Sequence, residues 1–257
     1  LRADGIRHVK LIDATPIGIN VRSTVATYAD IHDELRRAFA RTSEAKAAGY
    51  KAGAFSYNTG TLRCSTCDGT GSISLDVQFL PDVEIVCPAC RGSRYADAAS
   101  HIHREGKDGS LLTLPQLMDM SVDEALDATV GLKKVQARLQ TLHDLGLGYL
   151  TLGEPTPALS GGEAQRLKLA SEMGRVQDDA VFVFDEPTIG LHPLDVQVLL
   201  SVFDGLVAKG ATVIVIEHDL DLIRNADYVI DMGPGGGDAG ESKRSEMENG
   251  LVSRSGW

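Results

Sequence analysis

Two segments in the second half of the chain constrain its fold more than any other feature. The first is Leu159-Ser160-Gly161-Gly162-Glu163-Ala164-Gln165-Arg166, in which small residues precede a helical pattern. The second begins nineteen residues after Arg166, where the apolar run 181–184 ends in Asp185-Glu186-Pro187-Thr188. A small-residue turn that opens a helix suits an anion, and carboxylates at a strand end suit a hard cation. Together the segments predict nucleotide chemistry in an α/β protein.

A phosphate-binding loop of the form G-x-x-x-x-G-K-[ST] would complete such a site. It occurs nowhere in the 257 residues, and the chain begins with Leu1 rather than Met. We therefore expect a fragment whose phosphate loop precedes residue 1. A site without the lysine that binds the β- and γ-phosphates is expected to be inactive alone.

The composition is that of an ordinary globular protein. Hydrophobic residues make up 43% of the chain, and no apolar run approaches the roughly 18 residues that would span a membrane. The first twenty residues lack a secretory pattern, so we expect a cytoplasmic protein with no membrane partner. Residues 1–110 carry 14 basic and 13 acidic side chains, whereas 111–257 carry 11 and 23. The acidic second part is a poor phosphate-backbone binder, which leaves nucleic-acid contact to the first part.

Three short apolar runs, 181–184, 212–216 and 228–230, predict strands. Their continuous apolarity indicates burial on both faces, and the helical spacing of 194–208 between the first two ends at Gly210. This βαβ pattern predicts a parallel sheet, in which ligands collect beyond the carboxyl ends of the strands. The polar residues at those ends are Asp185, Glu186, Glu217 and His218.

The remaining segments give weaker signals. The stretch 30–48 predicts an exposed helix with Ile31, Leu35, Ala38 and Phe39 on one face, and 122–145 predicts a helix interrupted near Gly131. Beyond Asp238 the sequence becomes rich in Glu, Ser, Lys, Arg and Gly. We expect 241–257 to be disordered or of non-native origin.

All four cysteines lie in two C-x-x-C-x-G motifs that are separated by nineteen residues: Cys64, Cys67, Cys87 and Cys90. This spacing predicts a four-thiolate Zn²⁺ site, with two disulfides as the alternative. Four cysteine ligands leave no open position on the metal, so the expected role is structural. Gly69 and Gly92 permit the left-handed backbone that turns amides toward the thiolates.

The segment between the two motifs predicts a hairpin on this metal base. Residues Ile73, Leu75, Val77 and Phe79 alternate with polar ones, as in a strand with one covered face. Arg63, Arg91 and Arg94 lie nearby. From composition alone, these arginines suit contact with a nucleic-acid groove and a solvated rim equally well.

Phosphoryl transfer requires a metal, a positioned water and neutralised charge around the γ-phosphate. Asp185 at a buried strand end suits the water shell of Mg²⁺, and Glu186 suits the orientation or deprotonation of the attacking water. His218 could contact the γ-phosphate from the side. Ser160 and Glu163 also fit a helix capping box, which is compatible with phosphate contact by the same turn.

With these residues in hand, the chain resembles ABC-type ATPases. Residues 159–163 resemble the ABC signature, 181–186 the Walker B strand, 190–192 the D-loop region and His218 the switch histidine. The further combination with two C-x-x-C-x-G pairs around Phe79-Leu80-Pro81-Asp82 resembles one family, the UvrA subunit of the bacterial excision-repair nuclease. The resemblance runs from about Ile12 to Gly237.

The resemblance implies an α/β fold: an ABC-ATPase-type parallel sheet with a helical signature region and an inserted zinc-bound β-hairpin module. It implies the second ATPase domain of a homodimeric protein that uses ATP, Mg²⁺ and Zn²⁺, binds double-stranded damaged DNA and passes it to a UvrB-like partner. By the same resemblance, Asp185 helps to bind Mg²⁺, Glu186 activates water and His218 assists. The residues that would meet ATP held by the other ATPase domain are Ser160, Gly161, Gly162 and Gln165.

The predicted parts of the chain follow from these assignments. They are a partial N-terminal portion of the ATPase domain with an insert (1–62), the zinc-binding hairpin module (63–95), a helical linker region (96–158), the signature helix with the Walker B and switch portion (159–240) and the tail (241–257). Ala14 departs from the family, which usually has a Q-loop glutamine there. This leaves open a UvrA-like paralogue in drug resistance or ribosome protection; a DnaJ-type zinc module fits the other segments poorly.

Overall fold

The computed structural model describes residues 5–18, 20–75, 83–106, 109–173, 179–189, 193–231, 243–248 and 251–253. The chain forms two compact units, which we call unit 1 (Leu1–Asp13 with Val176–Trp257) and unit 2 (Ala14–Arg175). Unit 1 contains a parallel sheet and unit 2 is mostly helical with two short hairpins. The predicted α/β class is therefore confirmed.

The elements are numbered in chain order. The strands are β1 (His8–Ile12), β2 (Ser72–Leu75), β3 (Val83–Val86), β4 (His103–Glu105), β5 (Leu111–Thr113), β6 (Ala180–Asp185), β7 (Thr212–Ile216), β8 (Tyr228–Asp231), β9 (Lys243–Glu248) and β10 (Leu251–Ser253). The α-helices are α1 (Val25–Tyr28), α2 (Ile31–Phe39), α3 (Ser43–Ala47), α4 (Leu114–Asp119), α5 (Val122–Ala128), α6 (Lys133–Asp144), α7 (Gly161–Met173), α8 (Pro193–Val207) and α9 (Leu220–Ile223). Short 3₁₀ helices lie at Ala52–Phe55, Asp97–His101 and Thr156–Ala158.

Unit 1 is built around the parallel sheet β1-β6-β7. Phe184 in the central strand pairs with Ile12 on one side and with Val215 on the other. The crossover helix α8 packs on this sheet, and its Phe203 ring lies 4.6 Å from that of Phe184. The predicted βαβ arrangement is confirmed, and β1 adds a strand that was not predicted. The expected burial on both faces holds for β6 but is wrong for β7, where Ile214 and Ile216 are 49% and 54% exposed. Because β6 and β7 run side by side, Asp185 is the register partner of Ile216 and the two strands end together.

Two predictions for the C-terminal part of unit 1 need correction. The run 228–230 was expected to extend the parallel sheet, but β8 pairs antiparallel with β9, which in turn pairs with β10. Two segments of the tail, which was expected to be disordered or of non-native origin, are therefore strands, and the origin of the tail stays a prediction. A continuous apolar run specifies a strand but not its partner, and the Asn249-Gly250 pair is a hairpin signal that the composition argument overlooked.

Unit 2 has a helical core. Its largest fully buried side chains are Ile31, Leu35, Phe39, Phe55, Tyr57, Leu62, Leu114, Leu117, Leu139 and Leu142. The segment 30–48 forms two helices rather than one exposed helix, because Thr42 caps α3 by accepting a hydrogen bond from the Ala45 amide at 3.3 Å. The predicted interruption of 122–145 is confirmed, with Gly131 at φ +89° between α5 and α6. None of the helices in the described ranges has the length and apolarity that crossing a bilayer requires.

Candidate nucleotide and metal sites

The acidic pair of unit 1 lies where the sequence predicts it, at the carboxyl end of β6. Asp185 is the last residue of the strand and is exposed. Glu186 follows at φ +45°, a left-handed conformation that a non-glycine residue adopts at a cost of about 1–3 kcal/mol. Its amide donates to the Ile216 carbonyl at 2.9 Å, which ties the turn to β7. Strain of this kind is a common property of functional turns.

The structure brings His218 to Glu186. The imidazole Nδ1 lies 3.9 Å from the Glu186 Oε1, and the side chains are 81% and 45% exposed. An exposed imidazole next to an exposed carboxylate can both contact a phosphate and help to orient a water molecule. The two predicted catalytic residues therefore lie together at the carboxyl end of the parallel sheet.

The sequence analysis noted Glu217 at a strand end but gave it no role. Its side chain is only 2% exposed, and its Oε1 accepts hydrogen bonds from the Thr188 amide at 2.9 Å and from the Thr188 hydroxyl. Its Oε2 accepts from the amides of His218 at 2.8 Å and Asp219 at 3.1 Å. Burial raises the pKa of this carboxyl, but these hydrogen bonds outweigh burial and hold the pKa below its usual value. Glu217 is thus an ionised acceptor inside the loops that carry Glu186 and His218.

In unit 2 the signature turn starts α7 with the predicted capping box. The Glu163 amide donates to Ser160 Oγ at 3.3 Å, and the Ser160 amide donates to Glu163 Oε2 at 2.7 Å. Tyr149 was not predicted to take part, yet its hydroxyl donates to Glu163 Oε1 at 2.5 Å. Burial and this carboxylate raise the pKa of Tyr149 to about 12, so the phenol stays a donor. No local pattern links Tyr149 to the turn, because the contact depends on tertiary packing.

The glycines of the signature turn lie in the first turn of α7, where the amides of a helix are free to face an anion. A Cβ on Gly161 would stand 3.1 Å from both the Cβ and the carbonyl oxygen of Ala14, so only glycine fits without a shift. Gly162 is half-buried, whereas Gln165, one turn further on, is 3% exposed and belongs to the interior of unit 2. The contact of these residues with ATP stays a prediction.

The four cysteines form one compact cluster. Their sulfur atoms all lie within 4.8 Å of one another, with Cys64 and Cys87 4.0 Å apart and Cys67 and Cys90 3.6 Å apart. A tetrahedral zinc with Zn–S bonds of about 2.3 Å places its sulfurs about 3.8 Å apart. All four thiols are free, and a disulfide would need a separation of about 2.05 Å. The arrangement could hold a zinc ion through four thiolates.

The backbone around each pair has the predicted left-handed form. Gly69 and Gly92 have φ of +78° and +89°, and the Gly71 amide donates to Cys67 Sγ at 3.3 Å. At Cys64, burial raises the pKa but the amides of Cys67 and Thr66 outweigh it, and the pKa falls to about 7. Burial raises the pKa of Cys90 to about 12. Amides aimed at sulfur stabilise the thiolate form that a metal requires.

The arginines near the hairpin do not share one role. Arg94 is 6% exposed, and its guanidinium donates to the carbonyls of Val21 at 3.0 Å and Gly69 at 3.4 Å. Arg94 therefore stabilises the structure of unit 2 through these hydrogen bonds. It is no longer a candidate for contact with DNA, because its donors are used inside unit 2. Arg63 pairs with Asp68 at 2.9 Å, and Arg91 is exposed.

The predicted hairpin is formed by β2 and β3, with Ser72 opposite Val86 and Leu75 opposite Val83. The residues 76–82, including Val77 and Phe79, lie outside the described residues. Of the described residues on the expected covered face, Ile73 is partly buried against the cysteines and Leu75 is 42% exposed. On β3, Val83, Ile85 and Val86 are 37% to 65% exposed. Exposed apolar side chains on a two-stranded ribbon are suited to a binding surface.

The two C-x-x-C-x-G glycines allow a matched prediction. A Cβ at Gly69 would lie 1.8 Å from the Tyr57 carbonyl oxygen, whereas at Gly92 the nearest atom is Val86 Cγ1 at 3.6 Å. Both positions impose the left-handed penalty, so Gly92→Ala is expected to cost about 1–2 kcal/mol and Gly69→Ala about 4 kcal/mol. Urea unfolding of the zinc-loaded protein measures both. Equal losses would show that the Tyr57 carbonyl moves away freely.

The curated relatives and the solved structure that match most of the chain are all UvrA proteins. No family model matches the chain. Over 240 residues it is 46% identical to UvrABC system protein A of Streptococcus pyogenes serotype M1, and over 230 residues it is 48% identical to the protein of that name in Mycobacterium bovis. These alignments cover 92% and 89% of the chain but 25% and 23% of the relatives. The crystal structure of UvrA2 from Deinococcus radiodurans matches 93% of this chain and 29% of its own, with a TM-score of 0.83 and 41% identity. The chain thus spans about a quarter of the length of the curated relatives.

Proposed function

We propose that this chain, which belongs to the UvrABC system protein A family, is part of an ATP-dependent DNA-damage recognition subunit of nucleotide excision repair. In this role, binding and hydrolysis of ATP are coupled to binding of DNA. The observation that carries the proposal is the meeting of Glu186 and His218 at the end of a buried parallel strand, in a chain that also holds a four-thiol cluster.

The nucleotide chemistry follows from the strand edge of unit 1. Asp185 holds the water shell of Mg²⁺, which when bound neutralises charge on the phosphates. Glu186 accepts a hydrogen bond from the attacking water and orients it, and the imidazole of His218 donates to the γ-phosphate. The β- and γ-phosphates also need a lysine-bearing loop that this chain does not contain.

The signature turn of unit 2 serves a different nucleotide. Ser160 with Gly161 and Gly162 offers a hydroxyl and helix-start amides to the phosphates of ATP bound on another ATPase domain, and Gln165 is the fourth residue of this proposed nucleotide contact. The capping box leaves the Ser160 hydroxyl proton available, because Ser160 Oγ acts there as an acceptor. Closure of such a two-part site would couple the two ATPase domains.

The cysteine cluster serves DNA binding. Cys64, Cys67, Cys87 and Cys90 hold one zinc ion, and the exposed apolar ribbon above them contacts damaged double-stranded DNA, with Arg91 and Arg63 near the phosphates. In the complete protein we propose a homodimer in the cytoplasm that transfers DNA to a UvrB-like partner and does not involve a membrane. Induction as part of the SOS response fits this role.

A specific observation keeps a second function in view. Ala14 lies against Gly161 of the signature turn, at the position where the family usually has a Q-loop glutamine. A methyl group cannot coordinate a metal or bind water. A UvrA-like paralogue acting in drug resistance or ribosome protection would also have the same ATPase parts. Turnover stimulated by ribosomes rather than by damaged duplex DNA would favour this alternative.

Glu186→Gln in the complete protein tests the proposal. The amide keeps the size of the side chain but cannot take a proton from water, so ATP turnover is expected to fall about 100-fold while ATP stays bound. Steady-state phosphate release with and without damaged duplex DNA, together with retained nucleotide after gel filtration, measures both. Asp204→Asn, on the exposed side of α8, removes one charge from the same unit and should leave turnover unchanged. If Glu186→Gln hydrolyses ATP at the wild-type rate, the carboxyl end of the parallel sheet in unit 1 is not the site of hydrolysis.

A further inference from the structure

Glu217 links the two loops that carry the candidate catalytic residues. One loop, Glu186 to Ile189, follows β6, and the other, Glu217 to Asp219, follows β7. One carboxylate oxygen of Glu217 is bonded to the amide and hydroxyl of Thr188 in the first loop, and the other to the amides of His218 and Asp219 in the second. A single buried carboxylate therefore accepts hydrogen bonds from both loops.

These bonds are not needed to start the helix that follows. The first amides of α9 are already satisfied, because Asp219 Oδ1 accepts from Asp221 at 2.9 Å and Leu222 at 3.0 Å. Nor does the sheet require them, since the Glu186 amide closes the ladder on the Ile216 carbonyl. The remaining effect of the hydrogen bonds to Glu217 is to fix the distance between the two loops.

That separation matters at Glu186. Its left-handed backbone is unfavourable by itself and persists only where neighbouring contacts determine it. Thr188 is two residues beyond Glu186 and is held by Glu217, while His218 is the next residue after Glu217. A shift of either loop would change the 3.9 Å distance between the Glu186 carboxylate and the His218 imidazole.

We propose that Glu217 is a positioning residue for ATP hydrolysis: its buried carboxylate, bonded to Thr188, His218 and Asp219, sets the distance between Glu186 and His218. The inference rests on the proposed function and deepens it. Glu217 does not touch the nucleotide, because its side chain is 2% exposed and both of its oxygens are occupied by these donors.

Glu217→Gln is the sharpest test, because glutamine has nearly the same shape and only one acceptor oxygen. Whichever way the amide turns, its NH₂ group faces backbone N–H donors on one loop. We expect kcat for ATP in the complete protein to fall about 30-fold, with KM changed less than about 2-fold, since misplacement of reacting groups by about 1 Å can cost up to 100-fold. Normalising kcat to the number of ATP-binding sites removes any effect of unfolded protein.

Thr188→Val provides a second, milder variant. It removes only the hydroxyl bond and keeps the Thr188 amide, so kcat is expected to fall about 3-fold. When it is combined with Glu217→Gln, Thr188→Val should lower kcat further by less than about 2-fold. Both substitutions weaken the same hydrogen bonds between the two loops, so their effects do not add. Asp221→Asn is the control: it removes an exposed carboxylate that pairs with Arg224 at 3.1 Å on α9, and kcat should not change.

The outcomes separate this inference from the proposed function. If the unsubstituted complete protein does not hydrolyse ATP, both the proposed function and the positioning role of Glu217 are wrong. Turnover that Glu186→Gln abolishes and Glu217→Gln leaves at the wild-type rate would overturn only the positioning role of Glu217. If Glu217→Gln does not fold, Thr188→Val decides, because unchanged kcat there contradicts the link between the loops. An equal rise in KM and fall in kcat would mean that Glu217 acts on nucleotide binding, which also overturns the inference.

Discussion

Cys87→Ser is expected to abolish zinc binding and to unfold the hairpin module, while the helical core of unit 2 remains. The reason lies in the packing of the module. Among the residues of the module that the structure describes, the buried members of the cluster are the four cysteines, and Ile73 is a partly buried apolar side chain packed against them. The other apolar residues of β2 and β3, which are Leu75, Val83, Ile85 and Val86, are exposed. An isolated two-stranded hairpin is at best marginally stable in water, so the metal must supply the stability.

The expected size of this effect is large. Structural zinc bound by peptides contributes about 10–16 kcal/mol of apparent binding free energy at neutral pH, and in small modules this is folding free energy. Serine at position 87 removes a thiolate whose sulfur lies 4.0 Å from that of Cys64. Zinc content should fall from one ion per chain to near zero. Hydrogen exchange in β2 and β3 should rise by orders of magnitude, while the buried segment around Leu139 stays protected.

Metal analysis and hydrogen exchange by mass spectrometry measure both changes. Ser65→Ala is the matched control, because residue 65 is an exposed position inside the first C-x-x-C pair and all four thiols are kept. Zinc content unchanged in Cys87→Ser would contradict a four-thiolate site. A mass lower by four hydrogens in metal-free wild-type protein would instead establish the two-disulfide alternative.

Elements with a local physical cause could be predicted from the sequence. The helix start at Ser160 needs only a capping residue and a glutamate three positions later. The two C-x-x-C-x-G turns need only cysteine spacing and a glycine that tolerates positive φ. The strand end at Asp185 follows from an apolar run that stops at a carboxylate. In each of these cases the interacting groups are close in sequence, so the pattern contains the geometry.

The features that escaped prediction depend on distant residues. Arg94 is buried because carbonyls at Val21 and Gly153 accept its donors, and nothing near Arg94 in sequence distinguishes it from an exposed arginine. The same holds for Glu217, which joins a loop twenty-nine positions away at Thr188. Buried charged residues are uncommon and need such partners, so burial could be recognised only once the tertiary contacts were known.

His32, the second residue of α2, is a further buried polar group that the sequence pattern did not reveal. It is 3% exposed, its Nε2 lies 2.7 Å from the Tyr95 hydroxyl, and that hydroxyl donates to the Phe55 carbonyl at 3.0 Å. The Tyr95 proton is used on Phe55, so the neutral imidazole donates from Nε2. Burial first, and then the charge of Arg36, lower the pKa of His32 to about 3.

This pKa predicts that acid destabilises unit 2. Below pH 6.5 the unfolded chain binds a proton at His32 that the folded chain rejects until about pH 3. The contribution of His32 to the free energy of unfolding is therefore fully present above pH 6.5, and it falls by about 1.4 kcal/mol per pH unit between these two pH values. From pH 7.5 to 4.5 the contribution of His32 amounts to about 3 kcal/mol. His32→Gln cannot titrate and keeps a donor for Tyr95, so it should lose this part of the pH dependence.

The difference between wild type and His32→Gln isolates the effect, because the carboxylates and cysteines titrate equally in both. Five of the six tyrosines lie in unit 2, so tyrosine fluorescence during urea unfolding reports on the unit that contains His32. His101→Gln is the control, since the side chain of His101 is 75% exposed and substituting it should leave the wild-type slope. Parallel pH profiles for wild type and His32→Gln would mean that the folded protein accepts the proton. The proton would then bind Nδ1, because Nε2 already carries the proton that it donates to the Tyr95 hydroxyl, and the bond from Tyr95 to the Phe55 carbonyl would be kept.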